Sequence, residues 1–166
     1  MKPALLVIDV QKKFFERDAV TRQSLNYAVE NINEAIKLFR KRNLPIVFVQ
    51  HIDEEDGLIP GTEGFELPDE FEVLPTDLRT HKTYGNSFHQ TLLQKELKDQ
   101  GVDTLILTGF CAEYCVLSTY RGAYDVDLMP IMLAGSLASV KPENIKFVES
   151  ISEVISLGIL NKFLTG

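Results

Sequence analysis

Three side chains of this sequence could carry covalent chemistry together: Cys115, Asp9 and Lys82. Cys115 lies in TGFCAEYCV, residues 108–116, where an apolar stretch (Val102 to Leu107) runs into a glycine turn and then into an expected helix. A cysteine near a helix start sits where backbone N–H groups and the helix dipole favour negative charge. Its thiol is therefore expected to ionise more readily than a free one. The same amides could hold a developing oxyanion, so the arrangement suits a thiol that attacks carbonyls. Asp9 follows the apolar residues Leu5 to Ile8. A carboxylate there either caps a loop through backbone N–H groups or serves as a general base, because burying it alone is costly. Lys82, at the end of LRTHK, would be read as solvated by itself. On one rim with a thiol and a carboxylate, it would instead stabilise a thiolate, while Asp9 takes the thiol proton and returns it to a leaving amine.

The other reactive residues are weighed against this set. Cys111 and Cys115 are spaced i, i+4, which is not the CxxC of thioredoxin-like redox motifs, and Cys111 is read as a small buried residue near the turn. Of His51, His81 and His89, only His51 ends a strand on the expected rim. His81 precedes Lys82 and should point to the opposite face. One histidine without a second ligand is a weak metal site, so no metal is expected. Phe14, His51 and Tyr84 lie just beyond strand ends and are candidate substrate-binding walls. No G-x-G-x-x-G, Walker loop or G-x-S-x-G is present, so no cofactor is expected.

The elements that must position these residues alternate along the chain. Ala4 to Val10 reads as a buried parallel strand. Residues 19 to 42 read as a helix whose Leu25, Ala28, Val29, Ile32, Ala35, Ile36 and Phe39 recur at 3–4 spacing. Strands are expected at Ile46 to His51, Leu78 to Lys82, Val102 to Leu107 and Leu128 to Leu133. Helices are expected from about Ser87 with Phe88, Leu92, Leu93 and Leu97 on one face, from Ala112 to about Tyr124, and from Pro142 to about Ser156. Ile159 to Leu164 is expected as a short last strand. Strands alternating with helices imply a three-layer α/β/α fold with a parallel sheet. Ligands of such sheets bind beyond the carboxyl ends of the strands, which puts Asp9, His51, Lys82 and Cys111 to Cys115 on one rim.

Composition narrows the function classes. The 166 residues, 45% hydrophobic and 25% charged, read as a single soluble domain, 1–166. A net charge of −7 argues against nucleic acid as a partner. The opening apolar run is too short for a signal or a membrane span, and two cysteines give no disulfide framework, so a cytoplasmic protein with a small-molecule substrate is expected. The segment Asp53 to Asp77 is acidic and lacks Lys and Arg; it is either a solvated loop or a lid or partner-facing flap.

Three stretches in order, LLVIDVQKKFF, GTEGFELPDEF with LRTHKTYGNSF, and LTGFCAEYCVLSTYRGA, resemble the isochorismatase-like cysteine hydrolase superfamily over nearly the whole chain. The superfamily includes nicotinamidases, N-carbamoylsarcosine amidases and isochorismatases. The resemblance implies Asp9, Lys82 and Cys115 as a catalytic triad and an oxyanion hole from the backbone N–H groups of Cys111 and Cys115. It also implies a cis peptide at Phe110–Cys111, a Rossmann-like six-stranded parallel sheet in the order 3-2-1-4-5-6, and a homo-oligomer. Nicotinamidases hold a metal with an Asp and three His near the second strand, whereas QHIDEED supplies His51 alone. The expectation is a metal-independent cysteine hydrolase cleaving the C–N bond of a small amide or carbamoyl compound through a thioester. An isochorismatase-type vinyl-ether hydrolase and a non-enzymatic binding or redox module on the same fold are the alternatives.

Overall fold

A computed structural model describes residues 1–165. Six parallel strands form one sheet in the order β3-β2-β1-β4-β5-β6: β1 Pro3–Ile8, β2 Ile46–His51, β3 Leu78–Lys82, β4 Thr104–Phe110, β5 Met129–Ala138 and β6 Val154–Ile155. This is the expected order. The helices are α1 Lys12–Phe15, α2 Ala19–Lys41, α3 Leu93–Asp99, α4 Leu117–Asp125, α5 Glu143–Ser150 and α6 Leu157–Thr165. None of the described helices is long and apolar enough to cross a membrane.

The period of two along β1 divides the core into two faces. Leu5 and Val7 join Phe48, the apolar stripe of α2 and Leu160 of α6 on one side. Ala4, Leu6 and Ile8 join Val47, Val49, Leu93, Leu97, Val116 and Tyr120 on the other. All six residues of β1 are buried, as a central strand covered on both faces requires. The stripe predicted for α2 is the one it buries. Asp18 starts that helix by accepting the Thr21 N–H at 2.7 Å, which satisfies one of its free donors.

Three expected elements differ. The helix expected from Ser87 starts only at Leu93, and Leu92 is 69% exposed. Short polar side chains capture the intervening backbone: Asn86 accepts the Phe88 N–H at 3.0 Å, and Thr91 donates to the Ser87 carbonyl at 2.6 Å. Such local bonds compete with helix formation. The strand expected at Ile159 to Leu164 is helix α6, because Leu157, Leu160 and Leu164 share one helical face that packs against the α2 side of the core. The sixth strand is the preceding Val154–Ile155, beside Met132 and Leu133, so α5 ends at Ser150.

The acidic segment is anchored rather than free. Leu58, Phe65, Leu67 and Phe71 are buried, Lys12 pairs with Glu63 and Asp69, and Arg40 pairs with Asp77.

Candidate active site

The carboxyl ends of β1, β2 and β3 and the turn after β4 bring four predicted residues together. Asp9 leaves β1 with φ +52°, a left-handed conformation that Asp tolerates better than most residues, and it is 1% exposed. Its N–H donates to the Val49 carbonyl at 2.9 Å, which fixes the carboxylate beside β2. His51 and Lys82 are the last residues of β2 and β3 and are register partners, so their side chains leave the sheet on one face. Beyond β4 the chain turns through the cis Phe110–Cys111 peptide into a wide π-type turn, Ala112–Val116, that leads into α4. Tyr114 and Val116 both donate to the Cys111 carbonyl, at 3.0 and 3.3 Å, and Cys115 lies between them.

Gly109 makes this junction sterically possible. Its φ is +117°, and a Cβ there would stand 2.1 Å from the Ile8 carbonyl oxygen. Only glycine lets β4 pass so close to the residue before Asp9.

Lys82 is the centre of the cluster. Its buried ammonium donates to Asp9 Oδ2 at 2.9 Å and Cys115 Sγ at 3.4 Å, and it lies 2.9 Å from His51 Nδ1. Asp9 Oδ1 is buried with no hydrogen-bond partner among the described residues, which leaves an open acceptor. Cys115 is half-buried, and burial followed by the Asp9 charge pushes its thiol up to about 12, although Lys82 opposes this. The thiol is thus neutral at rest, contrary to the expectation from its place near a helix start. Burial and the adjacent carboxylate outweigh the ammonium. Burial, and then the Lys82 charge, also hold His51 below its ordinary value, against the pull of Asp9, Asp53 and Asp56.

Asp9, His51 and Cys115 offer donor atoms within 4.8 Å of one another. The position between them is already filled by the Lys82 ammonium, so the cation of this site is the lysine and no metal ligand is assigned.

The remaining predicted residues fall around this cluster. Phe14 of α1 packs on Phe110 with centroids 4.6 Å apart and lines a cleft of about 310 Å³ with Lys13, Glu16, Arg17 and Asp56. Tyr84 is 47% exposed and meets His89 edge-on at 4.4 Å, outside the hydrogen-bonded cluster. His81 is exposed and meets Phe65, on the other side of its strand from Lys82.

Three supporting contacts escaped sequence reasoning. Gln11, fully buried, donates to the His51 and Phe65 carbonyls (3.0 and 3.1 Å) and accepts the His51 N–H at 2.8 Å. The signal was an amide side chain two residues after Asp9. Ser87 and Thr119 share a 2.8 Å hydrogen bond that ties the segment after Lys82 to α4. Glu113 accepts from Ser139 at 2.7–2.8 Å and from Asn144 at 3.2 Å. Burial would raise its carboxyl, but these bonds outweigh that and hold it below its ordinary value.

Known proteins share this architecture. The family model described as Isochorismatase domain matches residues 3–149. Isochorismatase family protein YrdC of Bacillus subtilis is 30% identical over 140 residues, covering 83% of this chain and 74% of that protein. The crystal structure of N-carbamoylsarcosine amidase from Thermoplasma acidophilum superposes with a TM-score of 0.81 at 26% identity, over 94% of this chain and 95% of that one. An isochorismatase-like hydrolase from Alkaliphilus metalliredigens has the same fold, with a TM-score of 0.89 at 23% identity over 98% and 99% of the two chains.

Proposed function

Because this chain belongs to the isochorismatase family of hydrolases, we propose that it is a metal-independent cysteine hydrolase. Its reaction would cleave the C–N bond of a small amide or carbamoyl compound through a thioester on Cys115. The observation that carries this reading is the single ammonium, Lys82, bonded to both Asp9 Oδ2 and Cys115 Sγ while Asp9 Oδ1 stays open. The similarity to an N-carbamoylsarcosine amidase supports the choice of bond.

Asp9 Oδ1 takes the thiol proton as Sγ attacks the carbonyl carbon, so the thiolate forms only as the C–S bond forms. Lys82 stabilises the transient charge on sulfur and keeps the Asp9 carboxylate oriented. The tetrahedral oxyanion lies against the backbone N–H groups of Cys111 and Cys115. On collapse the C–N bond breaks, and the proton on Asp9 passes to the departing ammonia or amine. A water then gives its proton to Asp9 and attacks the thioester. The acid is released, and the proton on Asp9 returns to the Cys115 sulfur. Phe14 provides an apolar wall, with His51 and Tyr84 at the rim.

The test is a panel of small primary amides and carbamoyl amino acids assayed for ammonia release, with Cys115→Ala as control. The reading expects at least one compound to be hydrolysed by the parent chain and not by the variant. Turnover that survives in Cys115→Ala, or cleavage of isochorismate with no amide hydrolysed, would overturn it.

A further inference from the structure

An ammonium has three hydrogens, and the Lys82 ammonium has three partners within reach: Asp9 Oδ2 at 2.9 Å, His51 Nδ1 at 2.9 Å and Cys115 Sγ at 3.4 Å. Two of these belong to the proposed reaction. The third, His51, has no role in it beyond the rim. We propose that His51 is the positioning residue of the site: its bare Nδ1 accepts the third Lys82 hydrogen and holds the ammonium between Asp9 and Cys115. Protonating that ring releases the ammonium at acid pH. The catalytic consequence rests on the cysteine-hydrolase reading; the hydrogen-bond arrangement does not.

The chemistry follows from donor and acceptor counting. Ammonium can only donate, so a histidine facing it at 2.9 Å must present a lone pair. Nδ1 is then unprotonated and the hydrogen of the neutral ring resides on Nε2, for which no partner is found among the described residues. A second proton on the ring would put two donors and two positive charges face to face, and the contact must open. Each neighbouring element turns a group toward His51: Asp9 after β1, Lys82 of β3, Cys115 of the turn after β4, and Asp53 and Asp56 of the acidic segment. The carboxylates favour the charged ring, while burial and Lys82 disfavour it more.

The backbone is built to keep the ring in place. Gln11 binds the His51 N–H and carbonyl with one side chain, so the residue is clamped on the edge facing β1 while its register partner on the other edge is Lys82 itself.

Histidine-selective nitrogen-15 labelling with long-range proton–nitrogen correlation NMR reads this directly, since the sequence has three histidines and His51→Asn identifies the signals of this one. At pH 7 the His51 ring should carry its proton on Nε2 and none on Nδ1, and should charge only below its ordinary value of 6.5. In Lys82→Met the titration should move up. A proton on Nδ1 at pH 7 in the parent chain overturns the proposal by itself, whether or not Lys82→Met folds. An unmoved titration in a folded Lys82→Met does so as well. With an amide substrate in hand, His51→Ala should lower kcat by about 10–100-fold with KM changed less. His51→Asn, whose amide oxygen can accept from Lys82, should recover most of that loss and lack the acid-side fall attributed to the ring. A raised KM with unchanged kcat in His51→Ala would make the residue a substrate contact and overturn the positioning role. If no amide is hydrolysed at all, the hydrolase reading fails while the NMR result still decides this one.

Discussion

Cys111 and Cys115 stand on one turn, four residues apart, and neither is acidic: burial pushes the first up to about 11 and, with the Asp9 charge, the second up to about 12. What separates them is their company. Cys111 is 7% exposed, on the side where Ser139 lies 3.6 Å from its sulfur and is itself bound to Glu113, so the polar groups there are paired with one another. Cys115 is half-buried and meets a carboxylate with an open oxygen and an ammonium that can follow the charge onto sulfur. On the proposed mechanism, reactivity in this pair is a matter of where the proton can go, and not of how easily the resting thiol loses it. The Glu113 side is saturated and holds the turn; the Asp9 side keeps an acceptor open and, in the proposed reaction, carries the chemistry.

The largest expected effect tests that contrast head on. Cys115→Ala should lower amide hydrolysis by at least about 10⁴-fold, whereas Cys111→Ala, which leaves the backbone N–H in place, should stay within about tenfold of the parent. Steady-state kinetics on the two variants decides it, and comparable losses would erase the distinction. Next is Asp9→Asn, which keeps the size and tolerates the positive φ but cannot take a proton. It should cost about 10²–10⁴-fold in kcat.

Much of this contrast was legible in the sequence. Asp9 and Cys115 follow apolar strands and Lys82 ends the more polar LRTHK strand, and the rule that α/β sheets bind ligands at carboxyl ends gathers them on one rim. The state of the thiol was not legible, because it depends on burial and on a carboxylate that is distant along the chain. Nor was the Glu113 clamp, since nothing local in CAEYC says that Ser139 and Asn144 will arrive from the far side of β5. The same limit explains α6: a six-residue segment with four apolar residues, ILNKFL, reads equally as strand or helix until the α2 surface chooses the helical face.

The junction between the two sides gives the third prediction. Gly109→Ala would force a methyl to within 2.1 Å of the Ile8 carbonyl, so it should destabilise the fold by about 3 kcal/mol or more, read as a loss of denaturant midpoint. An unchanged midpoint would mean that β1 and β4 are not locked at this contact. A smaller effect is expected on the saturated side. Glu113→Gln should cost about 1–2 kcal/mol in stability through weakened bonds to Ser139 and Asn144. It should also leave the ionisation of Cys115 nearly where it was, since burial, Asp9 and Lys82 dominate it.

The most direct test of the account is the ionisation of Cys115 itself, followed by thiolate absorbance or by alkylation rate against pH in a Cys111→Ala background, with and without Asp9→Asn. A carboxylate disfavours a neighbouring thiolate, so removing its charge must move the thiol downward. The account predicts a parent thiol that stays neutral through pH 8 and ionises only toward about 12. The Asp9→Asn variant should then ionise at lower pH and be alkylated faster at pH 8 while hydrolysing substrate far more slowly. A parent thiolate already formed at pH 7, or an Asp9→Asn thiol that ionises at higher pH than the parent, would contradict it.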